Sequence, residues 1–240
     1  MTYGYHRKIA HVDLTTGSIS YRSLDEGLLR RYLGGTGLAV RLLYDLTTAQ
    51  VEPLGPDNIL VFTVGPLTGT RVPTSNRFTA AARSPLTGIW GESDCGGRWG
   101  GALKGAGLDG LLIVGQARSP VYLAIENGEV EIREGRDLWG VDTYDLDLGA
   151  EMVCIGIAGE KMLPHAAIMS GRSAGRAAGR CGLGAVMGSK KLKAIIAQGR
   201  SYPAVYDDDA LRDSIRQILP KIRENTQRMH DFGTSSGVET

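Results

Sequence analysis

The chain has 240 residues and a mass of 25.6 kDa, with 27 Lys and Arg against 26 Asp and Glu, 42% hydrophobic and 22% charged residues. That length suits one large domain or two small ones with a proper core, and a net charge of +1 excludes the strong basic excess of a nucleic-acid binder. No apolar run reaches the roughly 18 residues of a membrane span, and the first ten residues hold no apolar signal segment, so the expected compartment is the cytoplasm.

Residues His6–Leu14 alternate polar and apolar, Thr15-Thr16-Gly17 turns, and Ser18–Arg22 returns, which predicts a hairpin. Leu24, Leu28, Leu29 and Leu33 have helical spacing behind Asp25 and Glu26, and Gly34-Gly35 ends that helix. A second short helix is expected over Leu38–Tyr44 and a buried strand over Asn58–Val64, ended by Gly65-Pro66. Phe78–Ala82 reads as a strand, Ser84-Pro85 as a turn, the stretch from Gly88 as a glycine-dense loop, and Arg98–Gly105 as a compact helix. Leu111–Val114 is a core strand. Val121–Ile125 and Val130–Arg133 flank Asn127-Gly128, the strongest short hairpin signal. Further strands are expected at Val153–Ile157, Ala166–Met169 and Ala194–Ala197. From Asp207 the character changes to an amphipathic helix with Leu211, Ile215, Ile218 and Leu219 on one face, continued by Ile222 and Met229 and interrupted or kinked at Pro220. The reading is a β-rich domain over 1–205 and, over 206–240, the first helix of a following helical domain that the chain ends too early to complete.

Glycine accounts for 34 residues, about 14% of the chain against an ordinary share of roughly 7%. Two segments concentrate it. Gly88–Gly101 holds six glycines in fourteen positions, and Gly171–Gly184 interleaves glycines with Arg172, Arg176 and Arg180, four residues apart. Glycines let backbone N–H groups approach an anion, and arginine adds planar charged donors suited to phosphate. On a helix the three arginines would share one face. The pattern points to an anionic ligand, with a solvated charge stripe as the alternative. It is neither a P-loop, since no Gly-x-x-x-x-Gly-Lys-Ser/Thr occurs, nor the dinucleotide fingerprint. Cys95, Cys154 and Cys181 are scattered without a Cys-x-x-Cys pair, and three thiols cannot complete a cysteine-only cluster, so no iron–sulfur cluster is expected on this chain.

Gly65-Pro-Leu-Thr-Gly69, Arg77, Ser84-Pro-Leu-Thr-Gly88, Cys95-Gly-Gly97, Gly156-Ile-Ala-Gly-Glu160, Ala166-Ala-Ile-Met169, Arg176-Ala-Ala-Gly-Arg180 and Gly184-Ala-Val-Met-Gly-Ser-Lys190 occur in order between about Lys8 and Gly199. Together they resemble the N-terminal domain of the tungsten-containing aldehyde:ferredoxin oxidoreductases. The resemblance implies an α+β fold: a β-rich N-terminal domain of two β-sheets with short helices, followed by the start of a helical domain. It implies a tungsten bis-pterin cofactor, molybdenum being the alternative metal, whose phosphates share a Mg²⁺. Carried over position by position, it implies that Arg77, Asp94, Gly96, Arg176, Ala177, Gly179 and Arg180 bind the cofactor and that Asp94 lies at the Mg²⁺. Asp94 stands where asparagine is expected, Cys95 where serine is, and Cys181 where glycine is; both cysteines read as packing residues. His11 and His165 read as structural or solvated, and His6 and His230 lie near segment ends. The implied activity is oxidation of aldehydes to carboxylates, with electrons leaving through a [4Fe-4S] cluster held by later domains to ferredoxin or an electron-transfer subunit. No catalytic residue is expected here, and the chain alone is expected to be inactive. The remaining domains of the same enzyme, and a homodimer of the full-length form, are the other implied partners, with no nucleic acid and no membrane. Two other readings stay open: a stand-alone cofactor-binding or assembly subunit, and part of an aromatic acyl-CoA reductase.

Overall fold

The computed structural model describes residues 3–171 and 175–237. Among these described residues twelve strands form two mixed six-stranded sheets. The predicted first hairpin is β1 (Lys8–Asp13) and β2 (Ser18–Ser23), followed by α1 (Glu26–Tyr32), capped by the Asp25 carboxylate on Gly27 N. Helix α2 (Gly35–Leu46) is longer at both ends than Leu38–Tyr44. Strands β3 (Leu60–Val64) and β4 (Phe78–Arg83) follow as expected. The glycine-dense stretch is not all loop: Trp90–Cys95 is a strand, β5, because β4 pairs with it over six residues from Phe78↔Cys95 to Arg83↔Trp90. Then come α3 (Trp99–Gly105) and β6 (Gly110–Val114). The first sheet runs β2-β1-β6-β3-β4-β5, with β1 and β6 parallel.

The second sheet opens with the hairpin β7 (Val121–Glu126) and β8 (Glu129–Glu134), whose turn has φ of 52° at Asn127 and 81° at Gly128. Strand β9 (Glu151–Cys154) stops short of the expected Ile157, which instead starts α4 (Ile157–Glu160). Strand β10 (Ile168–Ser170) is followed by β11 (Arg176–Ala178), so Arg176 lies on a strand and Arg180 beyond its end. A helical stripe of three arginines is therefore not formed, and Arg172 lies outside the described residues. Helix α5 (Leu183–Ser189) is buried at all seven positions, so it lacks the two-sided pattern that would have announced it. Strand β12 (Leu192–Gln198) closes the sheet, whose order is β11-β10-β9-β12-β7-β8.

Strand alternation explains the layers. Leu60, Phe62 and Val64, with Phe78, Ala80 and Ala82, face a core shared with Leu123, Ile125, Ile195 and Ala197 of the second sheet; α3 and α5 supply Trp99, Leu103, Val186 and Met187 to it. The intervening residues Val61, Ala81 and Leu112 face outward onto Leu38, Leu42 and Leu43 of α2. Ala124, Ala194 and Ile196 likewise face outward onto Leu146. Both faces of the central strands are covered, which is why their sequences are continuous apolar runs.

Trp99 is the hinge pin of this packing. Its ring meets Phe62 and Phe78 edge-on at 5.4 and 4.8 Å between centroids, both residues of the first sheet. Its indole N–H donates to the Ile195 carbonyl of β12, in the second sheet, at 2.9 Å. Three buried lysines are also held by the fold. Lys104 pairs with Asp109, which also accepts from Arg7 N at 2.6 Å. Lys193 pairs with Glu160 of α4 and donates to Val141 O. Among the described residues Lys190 has no carboxylate within ion-pair distance; its ammonium donates to the carbonyls of Pro56 and Gly115 at 3.2 and 3.3 Å, and burial pushes its pKa down to about 8.

The last helix, α6 (Asp208–Phe232), is capped by Asp207 on Ala210 N and runs through Pro220 without a break. It buries no residue, and Ile218, Met229 and Phe232 are exposed. Among the described residues no helix is long and apolar enough to cross a membrane.

Two outcomes follow from the packing. Trp99→Ala should lower unfolding free energy by about 3–5 kcal/mol in denaturant titrations, the cost of emptying a buried tryptophan site; a loss under ~1 kcal/mol would show that the sheets do not depend on it. Lys190 binds fewer protons folded than unfolded between pH 8 and its unfolded pKa near 10.5, so its contribution to stability rises with pH across that window. Wild type should therefore gain stability relative to Lys190→Met between pH 8 and 10.5, and a pH-independent difference would contradict the buried-cation assignment.

Candidate functional site

Strand β5 is an edge of the first sheet and β11 an edge of the second, and the two edges touch. Arg180 N donates to the buried Ser93 hydroxyl of β5 at 3.2 Å, and the Ser84 hydroxyl donates to the Cys181 carbonyl at 2.8 Å. Gly91 permits this approach: a Cβ there would lie 2.7 Å from Cys181 Cβ and 2.8 Å from Ser84 Cβ. A glycine in mid-strand thus marks the seam between the sheets.

The seam brings most of the sequence-predicted residues together. Phe78 is paired with Cys95, so Arg77 and Gly96 leave the first sheet side by side. Helix α3 packs behind them, with Gly100 placed so that a Cβ would reach the Arg77 carbonyl at 3.0 Å. From the second sheet, Arg176 is paired with Ser170 and Ala177 with Met169. Arg77, Arg176, Ala177, Gly179 and Arg180 are exposed, and none of the three arginines forms an ion pair among the described residues, whereas Arg98 reaches Glu151 at 3.6 Å. Their field is felt at Cys95: burial raises its thiol pKa to about 11, while the charges of Arg176 and Arg77 pull against that and Asp94 adds to it. Cys95 is therefore a protonated, buried packing residue. Cys154 is similar, raised by burial to about 11.

Asp94 is exposed as well. Successive strand residues alternate faces, so its carboxylate lies on the side of β5 away from Cys95, where Oδ1 accepts from the Thr79 hydroxyl at 2.5 Å. Among the described residues no three His, Cys, Asp or Glu side chains are grouped as a metal cage. Gly96 is open, with nothing within 4 Å of a built Cβ.

Beside Arg176 lies a cavity of about 1030 Å³ whose lining includes Asn76, Gly97, Arg98, Ser170, Arg176 and Tyr202, with Asp147 and Glu151 also on its wall. Ser170 and Tyr202 carry no motif that singles them out in sequence; only the pairing of β10 with β11 puts Ser170 there. The seam as a whole offers unpaired guanidinium donors, open glycine backbone and a roomy neighbouring cavity. That donor set fits a large ligand bearing phosphates.

Comparison with known proteins places the chain in a family. Residues 9–199 match the family described as aldehyde ferredoxin oxidoreductase, N-terminal domain. The chain is 39% identical over 232 residues to the tungsten-containing aldehyde ferredoxin oxidoreductase of Pyrococcus furiosus, covering 93% of this chain and 38% of that one. It is 38% identical, with the same coverage, to its counterpart in Thermococcus kodakarensis. An aliphatic sulfonate oxidoreductase, WOR-like subunit, of Pyrococcus furiosus is 35% identical over 260 residues, covering 98% of this chain and 41% of that one. Among solved structures, the active site complex BamBC of benzoyl coenzyme A reductase with 1,5-dienoyl-CoA superposes with a TM-score of 0.88 at 35% identity, covering 94% of this chain and 36% of that one. The chain thus spans about two fifths of the length of these relatives. It belongs to the aldehyde ferredoxin oxidoreductase family, to whose N-terminal domain residues 9–199 correspond.

Proposed function

We propose that this chain is the cofactor-binding part of a tungsten- or molybdenum-dependent oxidoreductase that converts aldehydes to carboxylates, with ferredoxin or an electron-transfer subunit as electron acceptor. The observation that carries this reading is the seam itself: three exposed arginines, without ion-pair partners among the described residues, border the junction of the two sheets in a chain of this family. When bound, the bis-pterin metal centre supplies the redox chemistry. The residues of this chain bind and orient it. Arg77 and Arg176 approach the ligand from opposite sheets, Arg180 continues the second row, and Gly96, Ala177 and Gly179 leave backbone exposed at its surface. Asp94 is the residue assigned to the Mg²⁺. With Oδ1 already accepting from Thr79, it offers one free oxygen, so the ion would take most of its ligands from phosphate and water, as magnesium commonly does. The [4Fe-4S] cluster and the substrate pocket belong, in this reading, to the remaining domains of a longer enzyme, against which the uncovered α6 would pack.

A second reading has a specific observation behind it. The superposition on a benzoyl coenzyme A reductase complex is as extensive as the match to the aldehyde enzymes, so a reductase of aromatic acyl-CoA thioesters would use the same seam. Assaying the longer enzyme with an aldehyde and with an aromatic acyl-CoA separates the two.

Charge-assisted hydrogen bonds contribute about 1.5–3 kcal/mol each, so Arg77→Ala and Arg180→Ala should each reduce bound tungsten about tenfold or more in the purified longer enzyme. Unchanged metal content in both variants would overturn the assigned site. Cys95→Ser should keep its full complement of tungsten, since Cys95 is 1% exposed and packs into the apolar core between the sheets; loss of metal from that variant would make Cys95 a ligand.

A further inference from the structure

Among the described residues only two buried side-chain atoms lack a hydrogen-bond partner, Glu92 Oε2 and Ser170 Oγ. Ser170 is 1% exposed, and a buried hydroxyl with no partner is costly, so native folds rarely keep one without a use. Its position suggests the use. Ser170 lines the cavity beside the arginine seam and stands opposite Arg176 in the β10–β11 register, on the same face of the sheet. Above it lies Gly97, with φ of +105°; a Cβ there would come within 3.5 Å of Ser170 Oγ and 3.7 Å of Arg176 Cγ. The glycine therefore leaves open a gap bounded by a hydroxyl donor on one side and a guanidinium stem on the other. Any larger residue at 97 would fill the gap as well as strain the backbone.

We infer that Ser170 is a positioning residue for a phosphate group of the ligand, its hydroxyl donating to an anionic oxygen seated in the gap between Gly97 and Arg176. This rests on reading the seam as a phosphate site. The exposed Arg176 side chain, opposite Ser170 on the same face of the sheet, turns its guanidinium onto the anion. Ser170 thereby gains the partner it lacks, and the phosphate is held by one donor fixed in a sheet and one donor free to follow it. The cavity has room for whatever the phosphate is attached to. None of the residues carried over from the family pattern includes this hydroxyl.

The test uses this 240-residue chain with inorganic pyrophosphate as the probe, by calorimetric titration and thermal melting. Wild type should bind, while Arg176→Ala and Ser170→Ala should each bind about tenfold more weakly. Ligand-free Ser170→Ala should melt at a temperature equal to wild type or about 2–4 °C above it, because the substitution removes an unsatisfied buried group. A merely structural serine would produce the opposite pattern, with melting lowered and pyrophosphate affinity unchanged, and either of those two results overturns the inference. Loss of binding in Arg176→Ala with full binding in Ser170→Ala overturns the role of Ser170 and leaves the phosphate seam standing. No binding by a folded wild-type chain overturns the seam and the inference together.

Discussion

One buried indole decides how the two halves of this chain meet. Trp99 stacks edge-on against Phe62 and Phe78 of the first sheet and hydrogen-bonds the Ile195 carbonyl of the second. It is the first residue of α3, four positions after Cys95. The interaction that joins the sheets therefore also fixes the turn carrying Gly96 and Gly97. Once the sheets are docked this way, the edge strands β5 and β11 lie together, which brings Arg176 of β11 and Arg77, just before β4, close enough for both charges to act on Cys95. Burying a tryptophan offsets the cost of concentrating like charge at the seam, since a charge left exposed at the rim stays solvated until a ligand arrives.

The fold also explains why the seam is open. Its inner side is closed by apolar residues from both sheets, including Ile168, Ala178 and Cys95. At its outer end the same strand faces carry Ser170 and Arg176, which are polar where the pattern inward is apolar. A strand that changes from core to polar within three residues is running out of the protein interior, and that boundary is where a half-buried ligand fits. The departure from the expected pattern at position 94 acquires a physical reading as well. The Asp94 carboxylate is held by the Thr79 hydroxyl on the face of β5 opposite Cys95, and it forms no ion pair with an arginine among the described residues.

How much of this could be read from the chain depended on whether local pattern or partner strand determined each element. The first hairpin, the Asn127-Gly128 turn and the buried strands announced themselves through alternation or apolar runs. Trp90–Cys95 did not, because Trp-Gly-Glu-Ser-Asp-Cys is polar and contains glycine; its strand conformation comes from six pairings with β4. Arg176–Ala178 has residues that favour helix, and only pairing with β10 makes it a strand. Helix α5 was hidden for the opposite reason, being apolar and small on every side. At the site, the arginines and glycines were legible because their clustering is unusual in composition. Ser170 was not, since a lone serine carries no signal until its buried, unpartnered position is known.

The central claim is that the seam between β5 and β11 is where the metal-bearing cofactor lies. Anomalous diffraction at the tungsten absorption edge, from crystals of the cofactor-loaded protein, tests it most directly. The account predicts a heavy-atom peak over the face framed by Gly96, Arg77 and Arg176, with phosphate density reaching toward Gly97. A tungsten peak elsewhere, with ordered water alone along the arginines, would contradict it.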